Sequence, residues 1–298
     1  MTQRDAPSTS GILPLLAGLA LAASAGAIMK GLSSELPMPL IVWVRFIGFA
    51  ALMLPIVLWR YGRARIMRPV MPIAQLFRGT MLAAGTASFI IAVRTLDFAE
   101  AITLLYIYPF LITLLAPVFL NEPPRLITFI GVAGGFAGVL LVARPGLDGL
   151  MVAGTPFALA SGVSIAGQMI LNRRLGGAVD PLLTSFWGAC VAAILVTLFL
   201  PWIGESVTPG QAGRLVLLAL LASASQTLVT YAFSRSPAAD LAPFGYVEIV
   251  AAVGIGFVAF GTLPDTLSFL GMAIIIISGI TVARIQRGRI TARRQPKI

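Results

Sequence analysis

Apolar residues fall in ten long runs, near residues 12–30, 39–59, 74–93, 99–120, 126–143, 152–171, 182–203, 214–233, 241–261 and 266–283. Each approaches the roughly 20 residues that an α-helix needs to cross a bilayer. Turn-forming and charged residues collect in the gaps: Pro37 and Pro39, residues 60–69, residues 121–124, Pro145-Gly146, Gly176-Gly177, Pro209-Gly210, Ser236-Pro237 and Pro264-Asp265. The pattern predicts an all-α membrane protein with ten transmembrane helices. Its loops are too short to hold a soluble domain.

The runs also repeat. At an offset of 141 residues, Ala25-Gly26 meets Ala166-Gly167, Ala83 meets Ala224, Thr86 meets Thr227, Arg94 meets Arg235, Phe119 meets Phe260 and Pro123 meets Pro264. After a one-residue gap, Val142-Ala143-Arg144 meets Val282-Ala283-Arg284. Two five-helix units follow, 11–145 and 151–285, with a basic tail at 286–298. Five crossings are an odd number, so the second unit enters the membrane from the opposite side. Such inverted repeats are typical of secondary transporters. The Ala23-Ser24-Ala25 stretch looks like a signal-peptide cleavage site, but the repeat aligns it with the sixth run, so an uncleaved first span is expected.

Composition and charge sharpen this reading. Hydrophobic residues make up 58% and charged residues 11%, against about 25% charged in a soluble domain. The net charge is +10. The basic residues sit at span ends and in the tail, where anionic lipid headgroups attract them, so membrane lipids rather than nucleic acid are the expected partners. With a cytoplasmic N-terminus, most of them, Arg78 included, fall on the cytoplasmic side. Only Lys30, Arg94, Arg144 and Arg214 fall on the other, and Arg45 lies within a span. The positive-inside rule then puts both termini in the cytoplasm. There is no histidine and one cysteine, Cys190. An intrachain disulfide is excluded, and so is a usual zinc site.

Residues 94–146 read RTLDFAEAITLLYIYPFLITLLAPVFLNEPPRLITFIGVAGGFAGVLLVARPG. The Arg-x-Leu turn, Ala99-Glu100-Ala101, Pro109 within a span, Glu122-Pro123, the glycine-rich fifth run and Arg144-Pro145-Gly146 together resemble the EamA branch of the drug/metabolite transporter superfamily. Val42-Trp43-Val44-Arg45-Phe46 resembles that branch's second-span arginine motif, and the stretch 75–79 the start of its third span. With the repeat, the resemblance covers essentially the whole chain. It implies a ten-span carrier of small organic metabolites in a bacterial-type inner membrane, without ATP chemistry. The second copy departs from the pattern, with Leu263 opposite Glu122 and with Val247 and Ile249 opposite Tyr106 and Tyr108.

Charge within hydrocarbon costs roughly 2.5–3.5 kcal/mol at a helix centre, so Arg45, Glu248 and Glu100 invite a reason. Arg45 is expected to pair with Glu248 or Glu100. Such a pair either borders the substrate route or ties helices together. Glu122 is a coupling or gating candidate, or a carboxylate near Arg125. Polar residues recur at helical spacing in two runs: Ser161, Ser164, Gln168 and Asn172 in the sixth; Ser223, Gln226, Thr227, Thr230 and Ser234 in the eighth. They line a cavity or join helices. Trp43, Phe46, Phe89, Tyr106, Phe110, Tyr231 and Tyr246 are candidate aromatic walls, although such residues also anchor span ends. Pro109 and Pro243 are candidate hinges. Gly131 with Gly135, and Gly134 with Gly138, predict close helix packing.

The function expected is secondary transport of an amino-acid-like or vitamin-like metabolite by a monomer, with export favoured. Import of riboflavin-like or S-adenosylmethionine-like compounds is the rival. A channel or membrane scaffold is the alternative of another class. No metal, cofactor or catalytic constellation is expected, so the protein is not read as an enzyme.

Overall fold

A computed structural model describes residues 11–119, 126–143, 153–175, 180–200, 206–236, 241 and 244–293. All regular structure among them is helical. The helices are α1 (Ile12–Ser33), α2 (Met38–Ile66), α3 (Pro72–Ala92), α4 (Phe98–Leu105), α5 (Tyr108–Phe119), α6 (Leu126–Ala143), α7 (Thr155–Leu175), α8 (Pro181–Thr197), α9 (Pro209–Arg235), α10 (Val247–Phe260) and α11 (Thr266–Arg293).

Large apolar side chains lie on the outside as well as the inside. Trp59 is 88% exposed and Val258 85%. Many interior positions are small instead, as with Ala23, Ala25, Ala158 and Ala192. A helix apolar all round, packed through small residues, is what hydrocarbon solvent selects. Ile12–Ser33, Met38–Ile66, Phe98–Leu115 and Pro209–Phe233 are long and apolar enough to cross a membrane. Ile130–Ala143, Pro181–Thr197, Val247–Phe260 and Thr266–Thr281 are shorter apolar helices. The two helices outside both groups, α3 and α7, carry Gln75, Arg78, Gln168 and Asn172.

The packing is pairwise. Helix α1 lies on α9 and α3 on α7; α2 packs on α8 and α9, α3 also on α8. Helix α6 packs on α11, α1 on α10, α7 on α4 and α5, and α4 on α10. The α6–α11 approach is close because two glycines face each other. A Cβ on Gly138 would come within 2.7 Å of the Gly271 carbonyl oxygen, and the reverse holds for Gly271. Gly134 meets Ser278 of α11, whereas Gly135 meets the Phe110 ring of α5.

The fourth apolar run is two helices rather than one. Pro109 lacks an N–H and cannot donate to the Leu105 carbonyl, so the helix stops at Leu105 and restarts at Tyr108 after a turn at Tyr106-Ile107. Gly162 of α7 admits this break, since a Cβ there would lie 2.7 Å from the Leu105 oxygen. The ninth run is also interrupted, by a turn at Tyr246 just before α10. Helix α2 outlasts its apolar run but departs from helical geometry at Gly62, where φ is 72°.

Candidate functional site

A cavity of about 60 Å³ lies among α2, α3, α7, α8 and α9. Arg45, Phe46, Phe49, Arg78 and Leu82 come from the first half of the chain; Gln168, Ser185, Ala189, Ala222 and Gln226 come from the second. At this size the cavity holds a few waters, and a metabolite needs more room than that. Phe46 and Phe49 are buried at 4% and 6% exposure. Gln168 is half-buried and Gln226 more exposed.

The arginines have different surroundings. Arg45 donates Nη1 to Met29 Sδ at 3.3 Å and lies over the Phe46 ring at 5.8 Å. It is within electrostatic reach of Glu248, but among the described residues no direct ion pair joins it to Glu248 or Glu100. The expected pairing is therefore replaced by two hydroxyl contacts. Ser268 donates to Glu100 at 2.5 Å, and Tyr106 donates to Glu248 at 2.7 Å. Arg78 is 5% exposed, not a solvated loop cation. Its Nε donates to Asn172 Oδ1 at 2.6 Å and its Nη1 to the Thr184 carbonyl at 2.5 Å. Gly188 makes this possible, because a Cβ there would overlap Nη1. One turn away, Gln75 is 2% exposed, and neither amide atom has a hydrogen-bond partner among the described residues.

Beside the cavity, the two helix breaks meet. Tyr106 is buried, and its hydroxyl lies 2.6 Å from the Gly245 carbonyl as well as 2.7 Å from Glu248. The Tyr106 ring centroid is 5.4 Å from both Tyr108 and Tyr246. The Tyr246 hydroxyl fills the space that a side chain on Gly279 would need. A side chain from the first break thus satisfies a carbonyl at the second.

Other expectations fall elsewhere. Trp43 does not line the cavity; its Nε1 donates to Thr197 Oγ1 at 2.9 Å on the α2–α8 seam. Pro109 is at the start of α5, and Glu122 and Pro243 lie outside the described residues. Of the polar stripes, Gln168 and Gln226 reach the cavity, and Asn172 reaches Arg78. Ser164, Ser223 and Thr227 instead donate to carbonyls four residues back in their own helices. Sequence reading missed Arg78 and Gln75. Their three-residue spacing inside an apolar run was the available signal.

A second, wider cavity of about 760 Å³ opens where the α1–α2 and α3–α4 connections converge, with Lys30, Ser33, Glu35, Arg94 and Phe260 in its wall. Lys30 donates to the Leu96 carbonyl at 2.8 Å and sits 5.2 Å from the Phe260 ring centroid. At its rim, Glu35 accepts from both terminal nitrogens of Arg214, and Gln211 adds a contact of 3.2 Å. Arg214 holds the Glu35 carboxyl below the usual carboxylate range. At the other end of α2, Arg60 pairs with Asp180 at 3.4 Å. Among the described residues, no cluster of three metal-ligating side chains occurs.

The model of the EamA-like transporter family matches residues 9–144 and 152–284. The chain is 27% identical to the pseudopaline exporter CntI of Pseudomonas aeruginosa over 266 residues, 88% of this chain and 92% of that one. It is 27% identical to a riboflavin transporter of Rhizobium johnstonii over 238 residues, 80% and 78% of the two chains. It is 26% identical to an S-adenosylmethionine uptake transporter of Rickettsia conorii over 274 residues, 90% of each. One crystal structure shares the fold, with a TM-score of 0.66 at 20% identity, covering 95% of this chain and 99% of that one.

Proposed function

The chain belongs to the EamA-like transporter family, and we propose that it carries a small organic metabolite across a bacterial inner membrane by alternating access. The observation that carries this reading is the central cavity, to which each half of the chain contributes five residues. A carrier places its site at such a seam, so that relative motion of the halves exposes it to one side and then the other.

We infer ten spans in two inverted repeats, 11–145 and 151–285, with both termini cytoplasmic. The packing supports this. Exchanging the halves turns α1 on α9 into α7 on α3, α3 on α8 into α9 on α2, and α1 on α10 into α7 on α4 and α5. The pairs α2–α8, α6–α11 and α4–α10 map onto themselves. The breaks at Tyr106-Ile107 and Tyr246 fall in equivalent runs and are the hinge points. In this orientation the wide vestibule around Lys30 and Glu35 faces the periplasm. Arg45, Phe46, Gln168 and Gln226 line the substrate site, and Tyr106, Tyr246 and Glu248 couple its walls to the hinges.

Export is the direction proposed, in keeping with the exporter relative. Import, as the name of the S-adenosylmethionine uptake relative carries, is the rival. Counterflow in proteoliposomes tests the mechanism, using solutes chosen by thermal-shift screening of the purified protein. Preloaded unlabelled solute accelerates uptake of label through a carrier. Simple equilibration without acceleration rejects alternating access in favour of a channel.

A further inference from the structure

We propose that the transported metabolite is an anion, a small organic acid, and that Arg78 receives its charge. This deepens the carrier reading and rests on it. Among the described residues, the cavity wall holds two guanidinium groups and no carboxylate. Glu248 acts on Arg45 from beyond the wall, so that charge has an offset. Arg78 has none among the described residues: its two hydrogen-bond acceptors, Asn172 and the Thr184 carbonyl, are neutral, and no carboxylate acts on it.

Neutral acceptors fix the direction of a guanidinium without cancelling its charge. A buried, uncompensated cation is costly in a membrane interior, and a helix seam alone has no use for it. Arginine carries five N–H donors, and the two acceptors leave the rest of the fork unused. A carboxylate matches that planar fork with two parallel hydrogen bonds. Gln168 and Gln226 offer further donors from the opposite half, and the Phe46 and Phe49 rings supply an apolar wall. The geometry suits an acid with an apolar or aromatic body. The amide of Gln75, unpartnered among the described residues and on the same face of α3 as Arg78, adds polar capacity at that end.

Thiol labelling tests the sign of the cavity without knowing the cargo. Full-length protein carrying Cys190→Ser and Ala222→Cys is reacted with two membrane-impermeant methanethiosulfonates, one bearing a sulfonate and one a trimethylammonium. Each rate is divided by that reagent's rate with a free thiol in solution. Ala222 is a buried wall residue. The expected normalised rate favours the sulfonate by about tenfold. Adding Asn172→Asp places a carboxylate on Arg78 at unchanged side-chain shape, and the preference should vanish. Arg78→Lys should keep it. Equal rates for the two reagents, a preference for the cation, or a sulfonate preference untouched by Asn172→Asp overturns the anion proposal and leaves the carrier reading standing. If neither reagent reaches the introduced thiol, the alternating-access reading falls and this proposal falls with it.

Discussion

Two arginines divide the molecule into a rim and a centre. Arg214 stands at the exposed rim and grips Glu35 with both terminal nitrogens. Arg78 stands at the centre, 5% exposed, and among the described residues its hydrogen bonds reach only neutral acceptors. The rim pair is complete in itself and screened by water, so it contributes little. The central arginine is held in place but left charged. An ion pair found in a structure is thus weaker evidence of function than a charge whose partner is missing.

The largest effect should come from discharging the centre. Arg78→Gln, or Asn172→Asp with its built-in counter-charge, should weaken binding of an acidic substrate by roughly 1.5–3 kcal/mol. Transport then falls about tenfold or more at subsaturating substrate, measured at matched amounts of inserted protein. Gly188→Ala should act in the same direction through displacement of the Arg78 fork.

Next in size is the junction of the helix breaks. Tyr106→Phe leaves the Gly245 carbonyl and Glu248 without their hydroxyl, at a cost of about 1–3 kcal/mol in thermal or chemical stability. Glu248→Gln keeps the Tyr106 contact and should cost less stability. If Glu248 exchanges a proton during the cycle, that variant also flattens the pH dependence of transport. An unchanged pH profile in Glu248→Gln would remove Glu248 from coupling.

Smaller again is the amide pair. Gln168→Leu should lower affinity by roughly 1 kcal/mol, and Gln226→Leu by less, because Gln226 keeps more of its surface outside the cavity. Equal and undiminished affinity in both variants would assign the two amides to packing.

The rim should matter least. Glu35→Gln or Arg214→Gln should leave the substrate affinity unchanged. Because Glu35 has a lowered carboxyl pKa, its contribution to stability is whole above the ordinary value of 4.5. It fades only as the pH falls below that, through the folded-state value. A melting-temperature difference between wild type and Glu35→Gln that grew, rather than shrank, as the pH fell below 4.5 would contradict this.

Much of the fold was legible in the sequence, because hydrocarbon demands long apolar helices and the runs mark them. The break in the fourth run was signalled by Pro109, but not that the helix would stop there rather than bend, which needs the room that Gly162 of a distant helix leaves. The break before α10 was harder to see, since Val250 stands opposite Pro109 in the repeat. For the site, Arg45, Phe46, Gln168 and Gln226 were legible as polar or aromatic residues within apolar runs. Trp43 was misplaced because an indole N–H can be satisfied at a seam, by Thr197, as well as in a pocket. The serines and threonines of the polar stripes were ambiguous because a hydroxyl can bond back to its own helix. Arg78 was read as a span-end cation since long basic side chains there usually snorkel to water. Its burial depends on Gly188 and Asn172, two residues that no local pattern connects to it.

The most direct test of the central claim pairs acids with their uncharged twins. Purified full-length protein would be melted with nicotinate and nicotinamide, benzoate and benzamide, and succinate and dimethyl succinate, alongside the Asn172→Asp variant. The account predicts that at least one acid raises the melting temperature of the wild type, that its uncharged twin does not, and that Asn172→Asp loses the shift. Stabilisation by uncharged members alone, by no acid at all, or equally in Asn172→Asp would contradict it.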